Sequence, residues 1–247
     1  MQKTSKKIYW WIFALITFLV FVLLQVPAAW LISKFYKNNQ TLHNVSGNIW
    51  QGQADWKQGQ LRGSLSWQSR PLDLLRLRLA ANVKVDSGNS KLNAKLGYGL
   101  GKRVYVQNLS GDISAETLKQ FAAWQWPQQP IQIQQLNLKY QKEQGFSDVD
   151  GQLQWMGGNL VYIFAQRQEQ MDVPQLIGKA RDEQQQLIFD IQDNRGQNML
   201  NIRLDAAWML DIQLTQRFLL NAPSYQGKAA LDSYVISTRQ PLLKGGW

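Results

Sequence analysis

Over residues 75–86 the chain alternates with a period of two. Leu75, Leu77, Leu79, Ala81, Val83 and Val85 fall on one side, and Arg76, Arg78, Asn82, Lys84 and Asp86 on the other. A helix would spread those apolar residues around its circumference, whereas a strand sends successive side chains to opposite faces. The segment therefore reads as a long strand with one buried face. The same alternation returns at 92–96, 103–107, 160–164, 187–191, 199–204 and 210–214. At 131–138 its phase slips at Gln134-Gln135, which predicts a β-bulge. Turn residues separate the runs at Asp86-Ser87-Gly88-Asn89, Gln144-Gly145, Gly157-Gly158 and Asn194-Arg195-Gly196. About a dozen strands with hairpin-length links predict a mainly β fold, a long curled antiparallel sheet of meander type. Strand order and tilt decide whether such a sheet stays an open groove or closes into a flattened barrel, and alternation alone does not fix them.

Two segments break the pattern. Ser114-Ala115-Glu116-Thr117 opens like a capping box, Leu118, Phe121 and Ala122 follow at helical spacing, and Pro127 lies just beyond. These residues predict a short amphipathic helix over 114–124. A second helical turn is expected around Pro174 to Lys179.

A phrase of the form apolar-x-Gly-x-(Leu/Ile) recurs in Val45-Ser46-Gly47-Asn48-Ile49-Trp50, Leu61-Arg62-Gly63-Ser64-Leu65-Ser66-Trp67, Leu109-Ser110-Gly111-Asp112-Ile113 and Val149-Asp150-Gly151-Gln152-Leu153-Gln154-Trp155. Glycine inside a strand permits a bend or a close approach, and a neighbouring aromatic ring covers the gap. Strands reusing one curvature device give this recurrence. A duplicated unit, with halves 45–113 and 149–220, gives it too.

Ahead of the β pattern, residues 8–32 contain no Asp, Glu, Lys or Arg and follow Lys3, Lys6 and Lys7. As one helix this run is about 37 Å long, against a hydrocarbon core of about 30 Å. Aromatic residues sit at both ends, Tyr9, Trp10 and Trp11 at the start and Trp30, Phe35 and Tyr36 at the exit, as membrane interfaces favour. A cleaved signal has a shorter apolar core and small residues at its cleavage site, whereas Val26-Pro27-Ala28-Ala29 carries a proline and leads into Trp30. The expected organisation is a cytoplasmic leader at 1–7, a retained single-pass transmembrane helix at 8–32, a linker at 33–44 and a β-rich domain at 45–247.

The formal net charge of +10 suggests nucleic acid until it is located. Half of it belongs to Lys3, Lys6, Lys7, Lys34 and Lys37, and the other basic residues are scattered without a phosphate-tracking run. No nucleic-acid partner is expected. The chain has no cysteine, which removes disulfides, thiol chemistry and sulfur-ligated metals together. Its core rests on apolar packing, helped by 11 tryptophans.

Groups for acid–base chemistry are sparse. His43 is the only histidine, and in its polar surroundings at 38–44 it reads as a solvated linker residue from which neither a Ser–His nor a two-histidine metal arrangement is built. Gly97-Tyr98-Gly99-Leu100-Gly101-Lys102-Arg103 resembles a phosphate loop only superficially. Leu96 stands where the first glycine belongs, and Arg103 replaces the magnesium-binding Ser or Thr. A strand end or hairpin is expected there instead. Asp148 and Asp150 share the polar side with Gln152 and Gln154, a solvated face. Asn39-Gln40-Thr41, Asn44-Val45-Ser46 and Asn108-Leu109-Ser110 match the glycosylation triplet, which is short enough to arise by chance. No catalytic, cofactor-binding or metal-ligating residue is assigned, and the surface reads as one built to bind or to scaffold, not as an enzyme.

The order of features resembles a known family. The lysine-bearing leader and span end in Val26-Pro27-Ala28-Ala29-Trp30-Leu31, followed by Val45-Ser46-Gly47-Asn48-Ile49-Trp50-Gln51-Gly52-Gln53-Ala54, then Leu65-Ser66-Trp67-Gln68 and Pro71-Leu72. Together with Leu136-Asn137-Leu138, the Val149 phrase and Leu204-Asp205-Ala206-Ala207-Trp208, they look like protein N of the bacterial type II secretion system. A glycine would be expected where Ala207 precedes Trp208. The resemblance implies an inner-membrane protein with its N-terminus in the cytoplasm and its main domain in the periplasm. It implies an accessory scaffold of the machine that exports folded proteins across the outer membrane. Its implied partners are other inner-membrane components of that machine and the outer-membrane secretin. A groove-forming sheet of this kind also fits lipid binding or bridging, the second function carried forward.

Overall fold

The computed structural model of the chain describes residues 4–35, 41–58, 61–119, 125–164 and 166–242. Two helices come first, α1 (Thr4–Gln25) and α2 (Ala28–Phe35). They are followed by β1 (Leu42–Gly47), β2 (Gln51–Gln58), β3 (Leu61–Ser69), β4 (Arg78–Ser87), β5 (Ser90–Gly99) and β6 (Arg103–Ile113). After the short helix α3 (Ala115–Leu118) come β7 (Ile131–Gln141), β8 (Gly145–Trp155), β9 (Gly158–Phe164), β10 (Arg167–Val173) and β11 (Leu176–Glu183). The remainder is β12 (Gln186–Asp193), β13 (Asn198–Leu204), β14 (Met209–Thr215), α4 (Gln216–Leu219) and β15 (Tyr234–Pro241).

Thirteen strands form one antiparallel meander in the order β1-β2-β3-β4-β5-β6-β7-β8-β11-β12-β13-β14-β15. β1 and β15 lie at its two edges and do not pair with each other, so the sheet is open and the flattened-barrel alternative is set aside. β9 and β10 leave the meander as a separate hairpin. The hairpin's Leu160, Met171 and Val173 pack on Trp155, Leu176 and Ile191 of the sheet, with Phe218 from α4 closing the cluster. A second cluster gathers Leu136, Phe146, Val149, Ala180, Leu187 and Leu204. Full burial is thus concentrated in the second part of the chain. On the facing side of β3 to β5, Leu65, Trp67, Val83, Val85, Leu92 and Ala94 are only half-buried.

The bulge predicted at Gln134-Gln135 is present: the β7–β8 register shifts between Ile133 and Gln135. Ser114 caps α3 by accepting a hydrogen bond from the Thr117 amide, and the part of the expected helix at 120–124 lies outside the described residues. The recurrent glycines stand where neighbouring strands come close. A β-carbon on Gly63 would strike the Asp86 carbonyl oxygen and crowd the Trp56 indole. One on Gly111, at φ +136°, would strike the Lys91 carbonyl and lie 3.0 Å from Leu92 Cα.

Several expectations need correction. The strand read over 75–86 begins only at Arg78: Pro71–Arg76 form a 3₁₀ turn and Leu77 is left-handed at φ 55°. Pro71 sits at the start of that turn, where its fixed φ and missing N–H suit a helical beginning. The Leu75 and Leu77 positions that continued the alternation by spacing are therefore outside the strand. No helical turn forms at 174–179, where β11 starts at Leu176 and pairs with both β8 and β12. Alternate residues Leu176, Gly178 and Ala180 turn inward there, a strand's burial pattern overriding local propensity. His43 lies on β1 opposite Asp55 and not in a linker.

The apolar run 8–32 is two helices with a break at Val26-Pro27. Proline has no N–H to donate and its ring clashes with the preceding turn, so a continuous helix through Pro27 is disfavoured. Among the described residues no helix is long and apolar enough to cross a membrane.

Candidate functional site

The phrase Val45-Ser46-Gly47-Asn48-Ile49-Trp50-Gln51-Gly52 folds as the tight link from β1 to β2, and its residues join the helical segment to the sheet. Gly47, at φ 88°, pairs with Gly52 across the link. The Asn48 side-chain oxygen accepts from the Trp50 amide at 3.0 Å and the Gln51 amide at 2.9 Å, holding the turn. The Ile49 amide donates to the Val26 carbonyl at 3.1 Å, and Pro27 and Asn48 form an isolated bridge. The Val26 carbonyl, which the proline break leaves without a continuing helix, finds its donor on the sheet. From the other side, Trp67 Nε1 donates to the Asn48 carbonyl at 3.2 Å, and the Ser69 hydroxyl to the Ile49 carbonyl at 2.7 Å. Ala28, beside the break, is 4% exposed. The motif is thus a clasp between the exit of α1 and the first three strands.

Next to the clasp a cleft of about 480 Å³ opens between α2, the β1–β2 link and the ends of β4 to β6. Leu31, Ile49, Leu79, Leu96, Tyr98 and Val104 line it, and the 3₁₀ turn forms one rim through Leu74. Cross-strand pairing explains why these side chains share a face: Leu79 is opposite Tyr98, Ala81 opposite Leu96, and Tyr98 opposite Val104. The cleft continues into the half-buried apolar face of β3 to β5. Such a surface can receive hydrocarbon.

The rim is pinned by an acid. Asp73 is 8% exposed, with Oδ2 at 3.3 Å from Arg70 Nε and 3.2 Å from Lys95 Nζ, and Oδ1 accepting from Lys95 at 3.3 Å. The Arg70 amide donates to the Ala80 carbonyl at 2.7 Å, so β3 and β4 meet at the base of the turn and residues 71–77 stand out from the sheet. Removing one partner of a buried ion pair leaves the others poorly compensated, and the half-exposed Arg70 softens that loss. Asp73→Ala is expected to cost about 2 kcal/mol and to quicken tryptic cleavage within 70–78. Equal melting temperature and equal cleavage in variant and parent would show that the rim does not depend on Asp73.

The residues singled out for chemistry are not brought together. His43 is on the edge strand, Gly97 to Gly99 end β5 and Leu100–Lys102 form the β5–β6 connection, and Asp148 and Asp150 are exposed on β8, with Asp148 paired to Lys139. The glycines of the false phosphate loop make room for a ring: a β-carbon on Gly99 would lie 2.9 Å from Tyr105 Cε2. Tyr105 is buried, with the Arg78 guanidinium 4.3 Å from its ring centroid, a cation–π contact. On the β9–β10 hairpin, burial first and the Glu169 carboxylate second push the Tyr162 phenol above its usual range, so it stays a neutral donor to Glu169. Among the described residues no group of three or more His, Cys, Asp or Glu is placed to hold a metal.

Sequence reasoning missed the 71–77 rim. Pro71 followed by Asp73 was the available signal, a helix-start pair inside what otherwise reads as a strand. It also expected glycine where Ala207 stands. Trp208 itself takes the left-handed backbone there, at φ 59°, in a turn whose amides at Ala207 and Met209 donate to Asp205 Oδ1.

The family model described as type II secretion system (T2SS), protein N, matches residues 38–232. No curated protein and no solved structure matches the chain.

Proposed function

We propose, because the chain belongs to the type II secretion system protein N family, that it is a scaffold subunit fixed in the bacterial inner membrane and working in the periplasm. Family membership makes it an accessory component of the type II secretion machinery, a role in the cell envelope alongside the machine's other components. That match is the observation that carries the reading. The finer picture has residues 1–7 in the cytoplasm, 8–32 as the single-pass anchor and 45–247 in the periplasm. Within α1 the charge-free residues 8–25 rise about 27 Å, against a core of about 30 Å. Trp10, Trp11, Phe13 and Phe18 are each more than half exposed, an apolar surface that water disfavours. The proposed partners are inner-membrane components and the outer-membrane secretin, met through exposed polar strand positions.

Photocrosslinking in cells tests it, with probes at Asn82 and Gln152, both exposed. Adducts with other secretion components are the expected result. An unchanged profile of secreted proteins after deletion, with no such adducts, would count against the reading.

The cleft beside α2 favours a second reading, a lipid-binding or lipid-bridging protein whose apolar face takes acyl chains. Mass spectrometry of the purified chain tests it, bound phospholipid being expected and lipid-free protein telling against it.

A further inference from the structure

One end of the sheet carries a dense group of exposed leucines. Leu72 is 77% exposed, Leu75 84%, Leu77 66% and Leu79 63%, all in or beside the 3₁₀ turn. Leu100, 71% exposed, tips the β5–β6 connection at the same end, because Arg78 pairs with Gly99 and Gly99 with Arg103. Leucines on two loops that stand out from a sheet are not the scattered single exposures normal on protein surfaces. The cores of the protein account for none of them: both buried clusters lie in the second part of the chain.

Two observations say what covers them. The first is position. The clasp bonds the exit of α1 to the β1–β2 link at this same end, with Ile49 donating to Val26 and the Ser69 hydroxyl, next to Arg70, donating to Ile49. With strands about 4.8 Å apart, the two leucine loops lie within roughly 20 Å of the point where α1 leaves the sheet. The second is charge. Arg70, Arg78, Lys102 and Arg103 flank the leucines, and the only acid within 70–78 or 97–103 is Asp73, which is buried against Arg70 and Lys95. With Arg70 taken up by Asp73, the exposed leucines keep Arg78, Lys102 and Arg103 beside them with no acid in these two segments to oppose them. That is what an anionic bilayer interface accepts, the apolar tips entering the acyl boundary and the cations meeting phosphates.

We propose that this end of the sheet is a second membrane contact. Leu72, Leu75, Leu77 and Leu100 insert into the interface of an anionic phospholipid bilayer, and Arg78, Lys102 and Arg103 bind its headgroups. The contact rests on the reading of α1 as an anchor, and it fixes the attitude of the sheet: the β1–β2, β3–β4 and β5–β6 links face the bilayer and the opposite end points away. It also places the mouth of the cleft at the lipid surface.

The natural absence of cysteine makes a single introduced thiol unique. Leu75→Cys, Leu100→Cys, Phe13→Cys and Gln152→Cys, each made in the full chain and labelled with an environment-sensitive dye, are reconstituted into vesicles of phosphatidylethanolamine and phosphatidylglycerol. Part of the lipid carries a quencher on the acyl chain. Expected are blue-shifted, quenched emission at 75, 100 and 13 and unquenched emission at 152, with the signal at 75 and 100 weaker in vesicles of phosphatidylcholine alone. Quenching at 13 without quenching at 75 and 100 keeps the anchor and overturns the contact. Loss at all three overturns the anchor and the contact with it. A blue shift at 75 and 100 without lipid quenching means that protein covers the leucines, which also overturns it. Equal quenching in the two lipid compositions overturns the role given to the cations.

Discussion

Replacing Gly111 by valine is expected to destabilise the domain by about 3 kcal/mol or more. Two effects combine at this position. At φ +136° an L side chain is strained, and a β-carbon there would also meet the Lys91 carbonyl oxygen with Leu92 Cα 3.0 Å away. Neither neighbour can yield easily. Gly111 is paired with Leu92 on one side and Ile133 on the other, so backbone moves of a few tenths of an ångström disturb two ladders. Against a typical total stability of about 5–15 kcal/mol, this is a large fraction. For a domain of this size it corresponds to a fall in melting temperature of roughly 6–12 °C. Gly196→Ala is the control. Its φ of +76° carries strain, but nothing lies within 4 Å of the added carbon, so its loss is expected to be near 1 kcal/mol. If the two variants melt together, close approach of β5 and β6 is not what Gly111 serves.

That glycine illustrates what a single sequence shows. The recurrent apolar-x-Gly-x-(Leu/Ile) phrase and the clean alternation at 92–96 are strand signals that tertiary packing preserves, because such a strand has one apolar face to cover. The bulge at Gln134-Gln135 was legible for the same reason: a change of phase can be accommodated only by an extra residue. The 3₁₀ turn at Pro71–Arg76 was not legible as such, because exposed leucines carry the alternation of β4 back to Leu75, three residues before the strand begins. Alternation reports which side chains share a face only while the backbone stays extended. The helical turn expected at 174–179 failed in the opposite sense. Local residues favoured a turn, while two neighbouring strands, β8 and β12, needed a partner between them. The candidate site was half visible. The β1–β2 phrase stood out as the most specific motif, but its work as a clasp depends on Val26 and Pro27, which the sequence presents as part of an uninterrupted apolar run.

On the proposal that α1 is an anchor, two aspartates in it, Phe13→Asp with Val20→Asp, are expected to make the chain extractable from membranes by alkaline carbonate. An aspartate near the centre of a spanning helix costs about 2.5–3.5 kcal/mol on the insertion scale. The pair therefore opposes insertion by roughly 5–7 kcal/mol, a factor of about four thousand to a hundred thousand. Both wild-type side chains are exposed, 63% for Phe13 and 49% for Val20, so neither change removes packing from the sheet, and the β domain should melt as before. The readout is extraction of membranes with alkaline carbonate. Wild type should stay with the membrane pellet and the variant should move to the supernatant. The washing step matters because the exposed leucines at 72, 75, 77 and 100 provide a second attachment of a different kind. An interfacial contact held partly by cations survives a neutral, low-salt wash and weakens in high salt, since screening shortens the reach of surface charge. The double variant should thus remain bound at low salt, leave at high salt, and leave completely in carbonate. A variant that resists carbonate as firmly as wild type would mean that α1 does not lie in hydrocarbon, and the single-pass anchor would fall with it.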